Sequence, residues 1–316
     1  MIKNLYIFEG ESFDPYYNLA VEEALLSATH NACILYLWQN QNAVVIGQNQ
    51  NAWKECRTAL LTEEGGRLAR RKSGGGAVFH DLGNLNFTFL MPSEDYDLDK
   101  QFSVIEQACV LLGLPVERSG RNDLLAGGRK FSGNAFYRGK EASFHHGTIL
   151  VDANMEKLGR YLSPSKAKLQ AKGVESVRSR VGNLKEIAPN LTVSALKQAL
   201  VQAFSAVYGL AVETLPASLL DAVEVETLRQ RNGTWEWNYG KKLPFALSVE
   251  GRFDWGGVEI GLDVESGTIK AAKVYSDAMD ETLPQQLETA LVGRKLAQSD
   301  LQHLPADVLE LLKEVM

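Results

Sequence analysis

Residues 70–90 read "RRKSGGGAVFHDLGNLNFTFL". The stretch opens with two cations, passes three consecutive glycines and ends in a strand pattern, with Leu85, Phe87 and Phe89 alternating onto one face. Glycine removes the Cβ and permits unusual backbone angles, so Gly74, Gly75 and Gly76 mark a place where something comes close to the main chain. Successive N–H groups in such a loop form an anion nest. Arg70 and Arg71 beside it carry guanidinium groups that pair bidentately with phosphate or carboxylate. Two standard nucleotide loops are excluded. No Lys-Ser/Thr pair follows the glycines, and the position that would need a closing glycine holds Phe79, ahead of a strand and not a helix. A tight turn between two elements remains the plainer reading of the triplet alone.

On the N-terminal side, "NLYIF" (4–8), "CILYLW" (33–38) and "AVVIG" (43–47) read as strands. Asp14 followed by Pro15 reads as the cap and first turn of a helix. "AWKECRTALLTEE" (52–64) reads as one helix stopped by Gly65 and Gly66. On the C-terminal side, "QFSVIEQACVLLG" (101–113) and "TVSALKQALVQAFSAVYG" (192–209) read as helices, the second capped by Thr192 and ended by Gly209, with "SFHHGTILVD" (143–152) a strand between them. This alternation predicts an α/β large domain over residues 1–243. After an expected linker at 244–249, residues 250–316 change character. Three strand-like runs are joined at Gly256-Gly257 and Ser266-Gly267, and helical runs follow at Leu283–Leu296 and Asp307–Val315. The small unit is expected to dock on the large domain, because so short a chain buries little core of its own.

The chain of 316 residues is 45% hydrophobic and 23% charged, which excludes a disordered or fibrous protein. Its net charge of −6 argues against a dedicated nucleic-acid binder. No apolar run reaches the roughly 18 residues that span a bilayer, and the first residues lack a secretion signal. Cys33, Cys56 and Cys109 are spaced for neither a disulfide scaffold nor a CxxC metal site, so a reducing cytoplasm is expected.

A second glycine-rich cationic stretch, "SGRNDLLAGGRKFSGNAFYRG" (119–139), holds Asn122 and Asp123 and then Gly127, Gly128, Arg129 and Lys130. A glycine-hinged loop could place Lys130 over an anionic ligand, opposite the first cluster. His145 and His146 are neighbours on a strand and so point to opposite faces, which disfavours a shared metal. One of them is expected to hydrogen-bond the glycine loop's backbone. Neither a cysteine in the glycine clusters nor a G-x-S-x-G motif is present, so an acyl-enzyme mechanism is disfavoured. "GTWEWNYG" (233–240) reads as aromatic packing that seals the end of the large domain.

Taken in order, "DPYYNLAVEEALL" (14–26), "VVIGQNQNAWKEC" (44–56), the glycine stretch, "GRNDL" (120–124), "GRKFSGNA" (128–135), "HHGTILV" (145–151), "AKGVESVRSRVGNL" (171–184), "WEWNYG" (235–240) and "WGGVEIGLDVESGTI" (255–269) closely resemble the bacterial lipoate–protein ligase A family. The resemblance implies a core related to class II aminoacyl-tRNA synthetases and biotin ligases, with a central mixed sheet and a small C-terminal α+β domain. It implies activation of lipoic acid with ATP and Mg²⁺ to lipoyl-adenylate. Transfer to a lysine of the lipoyl domains of 2-oxoacid dehydrogenase E2 subunits, or of the glycine-cleavage H protein, would follow. A monomer without nucleic-acid or membrane partners is expected.

The resemblance also implies roles for single residues. Arg71, Gly76, Ala77, Val78 and Phe79 correspond to the nucleotide-contacting loop, with Asp123 near the nucleotide and its magnesium. Lys130 corresponds to the lysine shared by lipoate and phosphate. Arg70, Ser73, Gly74, Gly75, Trp38, His80, Ala135 and His146 correspond to the lipoate side, with Glu22 near its apolar end. Between "GRND" and "RKFSGNA" this chain has only "LLAGG", short for the family. The rivals are an ATP-independent octanoyl- or lipoyl-transferase on the same scaffold and a non-catalytic binding module. A biotin ligase would carry a GRGRxG-type loop that is absent here.

Overall fold

A computed structural model describes residues 1–120, 122–162, 181–239, 247–265, 267–297 and 299–315. All of "AKGVESVRSR" (171–180) and the first part of the expected linker therefore lie outside the described residues. The strands are β1 (Asn4–Glu9), β2 (Ala32–Trp38), β3 (Ala43–Ile46), β4 (Arg67–Arg70), β5 (Val78–His80), β6 (Asn84–Pro92), β7 (Val116–Ser119), β8 (Asp123–Ala126), β9 (Arg129–Arg138), β10 (Ala142–Leu150), β11 (Val212–Thr214), β12 (Leu247–Phe253), β13 (Gly256–Glu265) and β14 (Thr268–Ser276). Eight of them form one sheet in the order β11-β1-β2-β6-β10-β9-β8-β7. β1 runs parallel to β11 and β2, whereas β2, β6, β10, β9, β8 and β7 pair antiparallel, so the central sheet is mixed, as expected. β4, β3 and β5 make a small second sheet and β12–β14 a third.

The strand period of two decides what each face buries. Leu35, Leu37, Leu85, Phe87 and Phe89 face the helices Leu98–Leu111 and Val193–Tyr208, which contribute Val104, Ile105, Leu196, Leu200 and Phe204. Each fully buried side chain of this size contributes about 1.5–3 kcal/mol. Tyr36, Trp38, Leu90 and Phe144 face the other way, under the helix Pro15–Ala24. That helix is capped as read: Asp14 Oδ1 accepts from the Tyr16 amide at 3.0 Å. Thr192 and Gly209 (φ 69°) likewise bound the helix Val193–Tyr208.

Four local expectations are corrected. The helix expected over 52–64 is two short ones, Ala52–Glu55 and Thr58–Glu63, because Cys56 is extended and bridges Leu162 while the Arg57 amide donates to Tyr161 O at 2.9 Å. The loop expected around Lys130 is a β8–β9 hairpin. Gly127 (φ 57°) and Gly128 (φ 76°) form its two-residue turn, and two positive φ values are what the tight right-twisted hairpin requires. In the C-terminal meander Gly256 and Gly257 lie within β13, the turn being Asp254-Trp255. The following helix ends at Leu291, since Val292 is extended and Gly293 is left-handed.

The C-terminal sheet has its own core, including Ile260, Leu262, Ile269, Leu287, Leu291 and Val308. It docks on the large domain as expected: the Ser276 amide donates to Asn49 O (2.8 Å), the Gly75 amide to Ala278 O (3.0 Å), and Lys54 pairs with Glu259 (2.9 Å) and Glu250 (3.2 Å).

Candidate active site

β6 is buried on both faces, and its second face carries Asn84, Asn86 and Thr88 where a core would carry apolar groups. Over that face lies a cleft with about 610 Å³ of empty space, its mouth included. Its floor comes from β2, β6, β10 and β9, and its walls from the glycine loop, β5 and the first helix.

Ten of the sequence-predicted residues line it: Trp38, Arg71, Gly75, Gly76, Ala77, Val78, His80, Lys130, Ala135 and His146. Lys130 sits on β9, where an irregularity in the β8–β9 pairing lets Lys130 face Leu125 and Ser132 face Leu124 with Phe131 between them. Its Nζ is 2.6 Å from Asp123 Oδ1. A Cβ added at Gly133 would lie 2.8 Å from that Nζ, so the missing side chain is what lets the ammonium cross the strand there. Arg71 is buried, and its guanidinium organises the glycine loop by donating to Gly74 O (2.6 Å), Gly76 O (2.8 Å), Val45 O (3.2 Å) and Ser73 Oγ (3.1 Å). Burial pushes its pKa down to about 10.

Behind the wall runs a continuous polar chain. Trp38 Nε1 donates to Thr88 Oγ1 (3.1 Å), Thr88 Oγ1 donates to Glu22 Oε1 (2.7 Å), and His146 bridges the same carboxylate oxygen through Nδ1 (2.7 Å) and Ser73 Oγ through Nε2 (2.7 Å). A neutral His146 protonated at Nδ1 satisfies every member, with the Ser73 hydroxyl donating to Nε2. His146 thus reaches the loop through the Ser73 side chain and not through backbone. Glu22 and Ser73 belong to the site as its backing and do not line the cleft.

Three predicted residues, Phe79, Gly74 and Arg70, point elsewhere. Phe79 packs in a separate core against Tyr161, with ring centroids 5.4 Å apart. Asp123 is present as the partner of Lys130. Gly74 meets the C-terminal domain: an added Cβ would lie 2.4 Å from Ala278 O. Arg70 is spent on main-chain carbonyls, those of Trp237 (2.9 Å), Gly47 (3.1 Å), Gln48 (2.8 Å), Gln50 (2.7 Å) and Asn238, while Trp237 Nε1 donates to Arg70 O (2.9 Å). Of the "GTWEWNYG" aromatics, Trp237 clamps Arg70, whereas Trp235, expected to help seal the domain, is 53% exposed and stacks on Tyr239 at 5.7 Å.

His145 faces the opposite side from His146, as the strand period demands. It sits among Phe87, Phe89, Phe102 and Phe136, and burial holds its pKa well below the usual range. Asn86, Asn134, Thr148, Leu19, Val45 and Met279 also line the cleft and were not singled out from the sequence. The alternation "NLNFT" signals Asn86. Met279 comes from the C-terminal domain, and no local pattern points to it. All three cysteines are buried outside the cleft, and burial pushes each thiol up to about 12. Among the described residues no group of three or more His, Cys, Asp or Glu side chains could hold a metal, and no helix is long and apolar enough to cross a membrane.

Comparison with known proteins finds matches along most of the chain. Residues 14–205 match the model of the lipoyl protein ligase A/B catalytic domain, and residues 242–311 match that of the bacterial lipoate protein ligase C-terminus. The chain is similar to Plasmodium falciparum LipL1, solved in complex with lipoate, at 29% identity and a TM-score of 0.83, over 99% of this chain and 97% of that one. It is similar to the bipartite lipoate protein ligase of Thermoplasma acidophilum, solved in work on that ligase and its E2 lipoyl domain, at 26% identity and a TM-score of 0.64, over 78% and 100% of the two chains. A lipoate–protein ligase A bound with ATP matches at 27% identity and a TM-score of 0.63, over 76% and 99%.

Proposed function

We propose a reaction on the premise that the chain belongs to the lipoyl protein ligase A/B family: a cytoplasmic monomer activates lipoic acid with ATP to lipoyl-adenylate, releasing pyrophosphate, and transfers the lipoyl group to a lysine of lipoyl domains. The acceptors would be E2 subunits of 2-oxoacid dehydrogenases and the glycine-cleavage H protein. The observation that carries this reading is the convergence of Lys130 and the Arg71-organised glycine loop on one cleft. Bringing a carboxylate to an α-phosphate places two anions together, and the Lys130 ammonium can neutralise both.

Gly76 is the open part of the loop, since a Cβ there would meet nothing within 4 Å, so backbone at Gly76, Ala77 and Val78 can take the nucleotide. Mg²⁺ would arrive on the triphosphate. Asp123, the partner of Lys130, is a carboxylate that could share it after releasing Lys130 to the substrates. In the second step the neutral amine of the acceptor lysine attacks the acyl carbon, and AMP leaves with the electron pair of the broken anhydride bond. The buried walls around Trp38 and His146 keep water from the intermediate. Residues 1–243 would form the catalytic domain and 250–316 the accessory domain.

A thiol-dependent transferase is disfavoured by the three buried, high-pKa cysteines. The deciding experiment is lipoate-dependent exchange of labelled pyrophosphate into ATP, run on the wild type and on a Cys33/Cys56/Cys109→Ser variant. Exchange is expected in both. Lipoyl transfer from a carrier without any exchange would replace this reading with the transferase.

A further inference from the structure

His145 is fully buried on the face of β10 opposite the cleft, among four phenylalanines, where another phenylalanine would pack as well. Both of its nitrogens are nonetheless engaged. Nε2 lies 2.8 Å from Asn134 Oδ1, and Nδ1 lies 3.1 Å from the carboxamide of Gln101, on the helix Leu98–Leu111. Burial keeps the ring neutral, so it has one proton to give. Asn134 takes it: Asn134 Nδ2 is committed as the donor to Asn122 O (3.0 Å) and Ser132 Oγ (3.3 Å), which leaves Oδ1 for the imidazole. The Gln101 carboxamide, whose other end meets a weak partner in Met91 Sδ (2.9 Å), can turn its nitrogen to Nδ1.

Asn134 in turn fixes the open end of the β8–β9 hairpin. Its amide donates to Asn122 O (3.0 Å), the same oxygen its carboxamide reaches, and Asn122 Nδ2 donates back to Asn134 O (3.0 Å). Two of these three bonds come from side chains, so the place of Asn122 depends on how the Asn134 carboxamide is turned. Asn122 lines the cleft, and the next residue is Asp123, the partner of Lys130. A line of hydrogen bonds thus runs from the helix layer to the cleft through Gln101, His145, Asn134 and Asn122. A phenylalanine at 145 would fill the same space and cut that line in the middle, leaving Asn134 Oδ1 buried without its donor.

We infer that His145 is a positioning residue: acting through Asn134 from behind the sheet, it holds Asn122 and Asp123 in register with Lys130. This rests on reading Lys130 as the charge at the reacting centre. The test compares the full chain with His145→Phe and with His145→Gln, whose carboxamide nitrogen can reach the place of Nε2. Hydrogen–deuterium exchange of the Asn134 amide, followed by NMR against the other β9 amides, reports the brace without catalysis. His145→Phe should lose about tenfold or more of that protection while melting within a few degrees of the wild type, and His145→Gln should keep it. Turnover is read in the half-reaction the wild type performs, pyrophosphate exchange or lipoyl transfer from a carrier. There His145→Phe should lower kcat by about tenfold and leave KM for the lipoyl substrate within about threefold, because the lost register is at the Lys130 end. His145→Gln should restore most of the rate. Unchanged amide protection in His145→Phe overturns the brace, and lost protection with kcat within about threefold overturns the positioning role. Should His145→Phe fail to fold, Asn134→Ala removes the carboxamide, leaves the histidine in the core and is judged by the same two readouts. A wild type that transfers without pyrophosphate exchange sinks the ligase reading alone, and one that does neither overturns both.

Discussion

Replacing Lys130 by methionine separates what the ammonium does at rest from what it does in the reaction. At rest Nζ lies 2.6 Å from Asp123 Oδ1, with the two side chains 32% and 28% exposed. A pair that open to solvent contributes no more than about 1 kcal/mol, and methionine keeps most of the apolar stem. The stability loss should therefore stay under about 1 kcal/mol, a melting shift of a few degrees at most for a chain this long. In the proposed adenylation the same ammonium would face charge developing between carboxylate and α-phosphate. Removing a donor aimed at such charge costs about 10²–10³ in rate, or roughly 3–4 kcal/mol of barrier. Lys130→Met should accordingly lower lipoate-dependent pyrophosphate exchange by about a hundredfold or more in a protein that melts almost normally. Asp123→Asn is the companion variant. It frees the lysine without removing it, so exchange should fall by about tenfold or less. If Lys130→Met exchanges within about threefold of the wild type while folding normally, the lysine is not at the reacting centre and the charge argument fails.

Arg70→Met should behave in the opposite way: five carbonyls lose a buried charged donor, so stability should drop by about 3–5 kcal/mol in urea unfolding while the folded fraction keeps its affinity for lipoic acid. A loss below about 1 kcal/mol would show that the carbonyl cage is not a structural joint. His80 adds a pH dependence. Its folded pKa is near 3 against about 6.5 unfolded, so the unfolded chain takes the proton first. Its contribution is complete above pH 6.5 and is lost toward pH 3, by up to about 1.4 kcal/mol per unit. Unfolding free energies at pH 7, 6 and 5 should show a slope that His80→Gln reduces by about that amount. Equal slopes in the two proteins would mean the ring is not held neutral.

The α/β order, the capped helices and the C-terminal meander were legible because each rests on local patterning. The failures rest on partners far along the chain. Cys56 breaks an otherwise good helix because Leu162 pairs with it, and nothing within residues 52–64 signals that. Gly127-Gly128 suits a hinge or a hairpin turn equally well, and only the pairing of β7, β8 and β9 chooses the hairpin. Arg70 and Arg71 looked like one anion-binding pair. Yet β4 ends at Arg70, and neighbours on a strand leave by opposite faces. One guanidinium therefore reaches the glycine loop, and the other is enclosed by Trp237 and Asn238, about 167 residues later.

The glycine run shows the same limit more sharply, because its three members solve three different problems. Gly74 has no side chain because the C-terminal domain's Ala278 carbonyl takes that space. Gly75 holds φ at 87°, and its amide is already given to Ala278. Of the three, Gly76 alone has open space where a Cβ would be, with nothing within 4 Å. An anion nest read from the triplet as a whole would need all three amides turned to the ligand. The structure leaves Gly76 open and makes Gly74 and Gly75 the seat of the C-terminal domain. Alanine at 74 should therefore loosen that docking first, with any effect on nucleotide contact following from it, whereas alanine at 76 would intrude only on the ligand.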